Sequence, residues 1–384
     1  MRQLAILLTN VTTKIHKGPT TGFITTSKQW ISNFSTYTTC NGCQGLRILY
    51  FGSDAFSLGP LQHIVARLRK KSLGKSLIEE ICVVVSEAPL LAKEKKKQIS
   101  NDFIDYVQKE RLLVHYWNRD PKKELINFDF GVVASFGHLI PKKVIQSFNR
   151  GILNAHPSLL PKWRGAAPII HTILNGEEKT GVTIIDLSIG RFDKGRIFTQ
   201  TEINVDDTWS NEILTERLGD LAGKMIMDVI DDYDYYAARA YTQPEEGASY
   251  APKINKDLSY IKWDTDSSSY IDRLHRAIGH KIGLHTLFAG KLIRLVDVTV
   301  LRKEECKTFE RRVEISCNAG EAWFDRKTKE LFIKCTDGWL KVSRLQMQYK
   351  KVVSAADFYN AYMVDRRTKG IIHNQFHSVN DSKL

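Results

Sequence analysis

The sequence predicts an α/β protein in which a doubly wound, mostly parallel sheet precedes a small C-terminal β-barrel domain. Between residues 47 and 232, short apolar runs alternate with helix-like stretches. Parallel strands are buried on both faces, so they read as continuous apolar runs. Beyond residue 290, short β-like runs are separated by turns, which is typical of an antiparallel barrel or sandwich.

The predicted elements follow one another along the chain. Leu58, Leu61, Val65 and Leu68 recur at helical spacing after the first strand candidate and predict a helix there. A longer helix is predicted over residues 210–232. The strand candidates are RILYF (47–51), ICVVV (81–85), FGVVAS (130–135), GILNA (151–155), GVTIIDL (181–187), LIRLVDVTV (292–300), ELFIKC (330–335) and LKVSRLQM (340–347).

Charge divides the 384-residue chain into three parts. Residues 1–45 carry four cations and no acidic residue, whereas residues 46–250 carry 27 Lys and Arg against 27 Asp and Glu. Residues 251–384 carry 25 cations against 16 acidic residues, a net charge of +9. We therefore expect a leader (1–45), a catalytic domain with its linker (46–250), and a basic β-barrel domain with a tail (251–384).

The leader is basic, rich in Ser and Thr and free of acidic residues, which is typical of an organelle transit peptide. A disordered basic tail is the alternative. No apolar run approaches the ~20 residues that a membrane-spanning helix requires, so we expect no membrane association. The six cysteines form no disulfide framework. Cys40 and Cys43 have metal-ligand spacing, but no second Cys or His pair follows them, and we predict no metal site.

The segment NAHPSLLPKWRGAAP (154–168) is the candidate reaction centre. Residues two apart in a strand face the same side, so Asn154 and His156 should face one crevice. Pro157 removes a backbone donor and should end the strand at this pair. Both side chains then lie at the carboxyl end of a strand, where open α/β sheets bind ligands. Capping of a loop is the alternative role for an isolated Asn or His.

The residue types at this position suit catalysis of acyl transfer. An Asn amide can stabilise a developing oxyanion, and a His can exchange a proton near neutral pH. Such a histidine usually needs a carboxylate to orient it. Asp193 is the candidate, because it follows the next predicted strand and parallel strand order would bring both strand ends to one edge of the sheet.

Nucleotide chemistry is disfavoured. The turn FGSDAF (51–56) contains one glycine, whereas a dinucleotide-binding loop needs several for close backbone approach. The sequence contains no Walker loop, so phosphoryl transfer lacks its phosphate cradle. A nucleotide-dependent oxidoreductase therefore ranks last among the candidate functions.

Taken together, FGSDAF, ASFGHLIP, NAHPSLLPKWRGAAPI, GVTIIDLSIGRFDKG and YAPKI resemble the methionyl-tRNA formyltransferase family, and with its leader the chain resembles the mitochondrial form. The resemblance runs from about Arg47 to Asp365. It implies a Rossmann-like formyltransferase fold with an OB-like barrel. It also implies transfer of a formyl group from the co-substrate 10-formyltetrahydrofolate to the α-amino group of methionyl initiator tRNA, in the mitochondrial matrix and by a monomer.

The resemblance also implies roles for individual residues. Asn154, His156 and Asp193 match the family's catalytic trio, with Asn154 and His156 stabilising the tetrahedral oxyanion and handling protons while Asp193 orients His156. The family's folate-binding segment corresponds to Phe136, Gly137, His138, Leu139 and Ile140. Support of the site is expected from Ser158, Leu159, Leu160, Pro161, Arg164 and Gly165.

Two departures from the family pattern bear on the site and on the tRNA. Arg196 stands where the family usually has an acidic residue shortly after the catalytic Asp. The loop after the second strand reads SEAPLLAKEKKK, whereas bacterial members have a longer loop rich in Gly and Arg. This difference leaves open which cation contacts the acceptor stem.

The charge of +9 in residues 251–384 favours an RNA partner over a small acidic substrate, because neutralising phosphates gives affinity without sequence preference. The candidate tRNA-binding cations are Lys93, Lys95, Lys96, Lys97, Lys334, Lys341, Arg344, Lys350, Lys351, Arg366 and Arg367.

Two other functions remain as alternatives. A folate-dependent formyltransferase acting on a small amine, such as glycinamide ribonucleotide or an amino sugar, would share the trio but would not need a basic second domain. A catalytically inactive RNA-binding homologue is the other, and the intact trio argues against it.

Overall fold

The computed structural model describes residues 45–70, 78–86, 102–117, 128–187, 189–190, 192–313, 318–365, 367–368 and 370–379. Most of the expected leader, both Cys40 and Cys43, and five of the cations proposed to bind tRNA lie outside the described residues. Those five cations are Lys93, Lys95, Lys96, Lys97 and Arg366.

A seven-stranded sheet forms the first domain, in the order β3-β2-β1-β4-β5-β6-β7. Strands β1 to β5 pair in parallel. The chain therefore winds outwards from β1 to β3 and then crosses to β4, on the other side of β1. The strands are β1 (Leu46–Phe51), β2 (Ile78–Ser86), β3 (Leu113–Trp117), β4 (Phe130–Val133), β5 (Ile152–His156), β6 (Lys179–Asp186) and β7 (Ile197–Asn204).

Helices flank this sheet and connect its strands. The first begins at Asp54, whose carboxylate accepts a hydrogen bond from the Ser57 backbone N–H while the Ser57 hydroxyl accepts one from the Asp54 N–H. This reciprocal capping box satisfies two otherwise unpaired donors. The helices are α1 (Ala55–Arg69), α2 (Asp102–Lys109), α3 (Lys142–Ile145), α4 (Pro168–Leu174), α5 (Asn211–Asp231) and α6 (Tyr233–Arg239).

The last two strands correct the prediction from sequence. Strand β6 pairs with β5 in antiparallel orientation, with His156 opposite Thr183, and β7 pairs with β6 in the same way. The parallel order that was expected to bring Asp193 to the site is therefore wrong. The sequence patterns predict no strand at the positions of β3 and β7. Their sequences, LVHYW and IFTQTEIN, mix polar with apolar residues, and many of these residues are partly exposed near the sheet edges.

The second domain is an antiparallel sheet in the order β10-β11-β12-β9-β8-β14, with β13 paired to β12. Backbone hydrogen bonds from Ala322 to Asn374 and from Phe376 to Gly320 connect the two ends of this sheet, which curls into a half-barrel. Its elements are α7 (Ser268–Ile278), β8 (Leu284–Phe288), β9 (Lys291–Val300), α8 (Lys303–Val313), β10 (Ala322–Asp325), β11 (Glu330–Lys334), β12 (Trp339–Met347), β13 (Val352–Ser354), α9 (Ala355–Phe358) and β14 (Phe376–His377).

The two domains are joined by helix α7, which packs on α4 of the first domain. The guanidinium of Arg273 donates to the Leu174 carbonyl at 2.9 Å, and that of Arg276 donates to the Trp209 carbonyl at 3.0 Å. The apolar face of α7 contributes Ile271 to the common core. Among the described residues, no helix is both long enough and apolar enough to cross a membrane.

Helices α1 and α5 cross at glycines on one face of the sheet. A Cβ at Gly59 would lie 2.2 Å from the backbone carbon of Gly219, so the backbones are too close for any side chain between them. Leu214, Leu218 and Ile226 of α5 are fully buried in the core. The close crossing therefore sets how deeply α5 packs on the sheet.

We expect Gly59→Ala to lower the free energy of unfolding by about 1–3 kcal/mol, as is usual for overpacking. Alanine favours a helix over glycine by ~1 kcal/mol, but the clash is with backbone atoms that cannot rotate away. Urea denaturation measures the change, with Gln62→Ala on the exposed side of the same helix as the control. A more stable Gly59→Ala protein would contradict the close crossing.

Candidate active site

A cavity of about 540 Å³ opens at the carboxyl ends of β1, β4 and β5. It lies where the chain crosses from one side of β1 to the other, the usual ligand position in open α/β sheets. Its lining includes the three residues expected to be catalytic and the five expected to bind folate: Asn154, His156, Asp193, Phe136, Gly137, His138, Leu139 and Ile140.

Strand β5 presents Asn154 and His156 to this cavity. The strand ends at His156, immediately before Pro157, as the sequence predicts. Asn154 is 8% exposed and His156 is 4% exposed, so both work in an environment largely shielded from water. The His156 Nε2 lies 2.9 Å from the Trp163 carbonyl oxygen, which can only accept. Nε2 therefore carries a proton, and Nδ1 is the nitrogen left for chemistry.

Asp193 completes the trio from the connection between β6 and β7. Its Oδ1 lies 3.4 Å from Asn154 Nδ2 and 3.5 Å from His156 Nδ1, and its Oδ2 accepts from the Gly165 N–H at 3.0 Å. Because β6 runs antiparallel, the connection has to fold back across β5 to reach these atoms. Asp193 does so with φ at 54°, a left-handed conformation that Asp tolerates better than most residues.

Residues 157–167 form a tightly bonded loop beside the trio. The Ser158 hydroxyl donates to the Lys162 carbonyl at 2.6 Å, and the Thr183 hydroxyl donates to the Ser158 carbonyl at 2.6 Å. Gln200 donates to the Leu160 carbonyl at 2.6 Å. Leu159 is half-buried, and Pro161 follows Leu160 through a cis peptide bond. The loop is thereby fixed to β6 and β7.

The segment that leads to the second domain, residues 240–251, also pairs with this loop. The Arg164 N–H donates to the Ser249 carbonyl at 2.9 Å, and the Ala251 N–H donates to the Arg164 carbonyl at 2.7 Å. Gly165 has φ at 124°, and a Cβ there would lie 2.7 Å from the Ala251 oxygen. We call residues 240–251 the linker segment. In the sequence, its signals are the Pro-Glu-Glu-Gly turn at 244–247 and the YAPKI motif.

Arg164 does not line the cavity. Its side chain is 2% exposed, and its guanidinium donates to Gln243 Oε1 through Nε at 3.1 Å and Nη2 at 2.9 Å. It also donates to Glu245 Oε2 at 3.0 Å and to the Pro244 carbonyl at 3.4 Å. Gln243 in turn donates to the Asp193 carbonyl. Arg164 thus contacts the linker segment and not the cavity, a contact that the sequence patterns do not indicate.

The five residues expected to bind folate form one wall of the cavity. Phe136 is buried and packs edge-on against Phe51 and Trp117 at 5.3 and 5.4 Å between ring centres. Leu139 is 53% exposed, an apolar surface open to a ligand. Further lining residues had no individual prediction: Ser53, Asp54, Val133, Ser135, Leu187 and Phe192. The turn FGSDAF was a sequence signal for the first two of these.

Two cations that follow Asp193 in the described chain, Lys194 and Arg196, are paired with other acidic groups. Arg196 Nε lies 2.8 Å from Asp186 Oδ2, and Lys194 Nζ lies 3.2 Å from Glu245 Oε1. Asp186 also accepts from the Arg196 backbone N–H at 2.6 Å. Arg196, the residue at which the chain departs from the family pattern, therefore pairs with the last residue of β6 and does not line the cavity.

The cations proposed for tRNA binding fall into two groups in the second domain. Lys334 pairs with Glu310 at 2.8 Å, and Arg344 pairs with Asp297 on both carboxylate oxygens. Lys350, Lys351 and Arg367 are exposed, and Lys341 is half-buried. Within the described part of the chain, Lys350 and Lys351 form no ion pair. The described residues contain no group of three or more His, Cys, Asp or Glu side chains that could hold a metal ion.

Comparison with known proteins identifies the family. Residues 46–230 match the family described as formyl transferase, and residues 253–363 match the formyl transferase C-terminal domain. The mitochondrial methionyl-tRNA formyltransferase of Homo sapiens is 35% identical over 83% of this chain and 78% of its own length. The chain belongs to the methionyl-tRNA formyltransferase family.

Other relatives and solved structures agree with this assignment. The methionyl-tRNA formyltransferase of Caldicellulosiruptor saccharolyticus is 26% identical over 83% of this chain and 98% of its own. The structure of WlaRD, a sugar 3N-formyl transferase, aligns with a TM-score of 0.53 at 18% identity, over 81% of this chain and 100% of that one. The structure of HypX from Aquifex aeolicus in complex with tetrahydrofolic acid aligns with a TM-score of 0.53 at 14% identity, over 82% of this chain and 47% of that one. Both likenesses establish a formyltransferase fold.

We expect Gly165→Ala to lower turnover by at least about 10-fold, because a Cβ would push Ala251 away and shift the N–H that holds Asp193. Gly151→Ala is the matched control, since Gly151 also has positive φ, at 78°, but a Cβ there would meet no atom within 4 Å. The control should lose only the ~1–2 kcal/mol of left-handed strain. Equal turnover in the two variants would contradict the role assigned to Gly165.

Proposed function

We propose that this protein transfers the formyl group of 10-formyltetrahydrofolate to the α-amino group of methionyl initiator tRNA. The observation that carries the proposal is the convergence of Asn154, His156 and Asp193 on one shielded point, beside the loop of residues 136–140. The family membership of both domains supports it. We further propose that the enzyme acts as a monomer in the mitochondrial matrix. The mitochondrial relatives support the organelle.

The reaction begins when the amine nitrogen attacks the formyl carbon, which gives a tetrahedral intermediate with a negative oxygen and a positive nitrogen. The Asn154 amide can donate to that oxygen, and His156 Nδ1 can do so when the imidazole is protonated at Nδ1 as well as at Nε2; each donor contributes a few kcal/mol when pre-oriented. The residue roles are part of the proposal. They agree with the His156 geometry, in which Nε2 is already bonded to Trp163.

Collapse of the intermediate requires proton transfer. The ammonium must lose a proton, and Asp193 Oδ1 is the carboxylate oxygen that faces the reacting point. The oxyanion then re-forms the formyl C=O bond as the bond from the formyl carbon to N10 breaks; the electron pair of that bond stays on N10, which takes up the proton that the ammonium has lost. His156 Nδ1 is placed to exchange protons with Asp193 during these steps. Oδ2 is held by Gly165, which keeps the carboxylate from turning away.

A small amine is the alternative acceptor, since sugar formyltransferases share the fold. The charge distribution argues for tRNA. The catalytic part of the chain is neutral overall, whereas residues 251–384 carry +9, which is unnecessary for a small amine and suits a polyanion. An inactive homologue is disfavoured because the trio is intact and closely spaced.

Purified protein incubated with 10-formyltetrahydrofolate and methionyl-tRNA should yield N-formylmethionyl-tRNA. His156→Gln and Asp193→Asn should each lower turnover by roughly 10²–10⁴-fold, as expected for loss of a general acid–base group or its partner, while tRNA affinity persists. His63→Gln, a half-buried histidine paired with Asp220 outside the cavity lining, is the control. Absence of formylated product with the unaltered protein would contradict the proposal. Normal turnover in His156→Gln or Asp193→Asn would remove the substituted residue from the mechanism.

Lys350 and Lys351, the exposed lysines after β12, should contribute to tRNA affinity. Lys350→Gln combined with Lys351→Gln should weaken tRNA binding and reduce the slope of log affinity against log salt by about 2, roughly one per lost phosphate contact. The control combines Lys179→Gln with Lys224→Gln, two paired lysines of the catalytic domain, and changes net charge equally. Equal slopes in both double variants would mean that overall charge, not this surface, governs binding.

A further inference from the structure

Gln243 occupies a position in the linker segment that neither the cavity lining nor the sequence motifs include. We propose that Gln243 is a positioning residue for formyl transfer, which holds the backbone of the Asp193 turn and is itself oriented by Arg164. The inference rests on the proposed function for its kinetic consequences. The geometry on which it stands does not depend on the identity of the substrate.

Every polar atom of the Gln243 side chain is used. Its Nε2 donates to the Asp193 carbonyl at 2.9 Å and to the Gly195 carbonyl at 2.8 Å, and its Oε1 accepts twice from Arg164. Carbonyls can only accept and a guanidinium can only donate, so the orientation of the amide is determined by its partners. The side chain is 6% exposed, and water cannot readily replace these bonds.

These bonds act on a turn that is strained and confined. Asp193 has φ at 54°, a conformation that costs an L-residue roughly 1–2 kcal/mol. Gly195 is so close to Asp186 that a Cβ would lie 1.7 Å from the Asp186 oxygen. The Gln243 amide bonds both carbonyls on either side of Lys194 and holds the turn in this shape. Without it, the backbone can relax and carry the Asp193 carboxylate away from His156.

Arg164 connects the same amide to the other side of the site. The residue before it, Trp163, binds His156 Nε2 through its carbonyl, and the residue after it, Gly165, binds Asp193 Oδ2 through its N–H. The Arg164 side chain reaches Gln243, which bonds the Asp193 backbone. The contacts form a closed ring from His156 through residues 163–165 and Gln243 to Asp193, and the Asp193 carboxylate faces His156 again at 3.5 Å.

Glu245 lies outside this ring and offers a control. Its carboxylate pairs with Arg164 and Lys194, but its side chain is 69% exposed. Glu245→Gln keeps a side-chain oxygen that can accept from Arg164, and it leaves the two hydrogen bonds from Gln243 to the Asp193 turn in place. If the two hydrogen bonds from Gln243 position Asp193, their loss should have consequences that loss of the Glu245 charge does not have.

The test uses Gln243→Met, which keeps the length of the side chain, and Gln243→Glu, which keeps a partner for Arg164 but removes both donors. Each should lower kcat about 10–100-fold, as displacement of a catalytic group by ~1 Å does, with KM for both substrates within about 2-fold. Glu245→Gln should keep kcat within about 2-fold. Normal kcat in a folded Gln243→Glu protein would overturn the inference.

A double-mutant cycle separates positioning from general support of the fold. In an Asp193→Asn background, Gln243→Met should cost less than about a further 2-fold in kcat, because the group that it positions is already disabled. The same loss in both backgrounds would overturn the inference. Gln243→Glu provides a second cycle if Gln243→Met does not fold.

Hydrogen exchange makes the inference testable without turnover. Backbone amides of residues 192–196 should exchange faster in Gln243→Glu than in the unaltered protein or in Glu245→Gln. Unchanged exchange in this segment would overturn the inference even in an active enzyme. If the unaltered protein forms no formylated tRNA, the proposed function fails while the exchange result still decides whether Gln243 holds the turn.

Discussion

A buried guanidinium is the constraint on which the arrangement of the site depends. A charge in the protein interior is tolerated only when it is paired and fully hydrogen-bonded. Arg164 is 2% exposed, and its partners within the described chain come from Gln243, Pro244 and Glu245. The linker segment therefore has to pass directly beside the loop that contains Arg164. Pairing of Ser249 and Ala251 with the loop around Arg164 extends the same contact along the backbone.

This position of the linker segment makes the catalytic site depend on residues outside both matched domains. The formyl transferase matches cover residues 46–230 and 253–363. Gln243, Glu245 and Ser249 lie in the interval between them. Since Gln243 bonds the backbone of Asp193, the first domain alone lacks part of what shapes its own active site. The connection between the domains is thus structural support for the site as well as a tether.

The sequence predicted the parts of the site that depend on local pattern. Asn154 and His156 follow from the period of two along a strand, and the end of that strand follows from Pro157. Asp193 was named as their partner, yet the reason was wrong, because β6 is antiparallel to β5 and a folded-back connection brings the carboxylate to the site. Apolar runs predict buried strands. They do not show whether a strand runs parallel or antiparallel to its neighbour when the connecting segment is long enough for both orientations.

Gln243 could not have been predicted by the same means. It lies in the polar stretch YTQPEEGAS, immediately before a Pro-Glu-Glu-Gly turn signal, but neither periodicity nor capping marks the glutamine itself. Its importance arises only from contacts with residues 48 to 79 positions away in the chain. Long-range hydrogen bonds of this kind depend on how the β6–β7 connection and the linker segment come together. Sequence patterns of one segment cannot show them.

The basic domain illustrates the same limit for charge. Its net +9 is a sum over side chains, but what a polyanion meets depends on which cations are already paired. Lys334 and Arg344 lie beside Glu310 and Asp297, so each is part of a local dipole with little net field at a distance. Lys350 and Lys351 project from the turn after β12 beside Tyr349, which is 94% exposed. An exposed aromatic ring next to two exposed cations offers both phosphate attraction and a surface on which a base can stack. The exposed cations of the turn after β12 thus differ from Lys334 and Arg344 in a way that the distribution of basic residues in the sequence does not show.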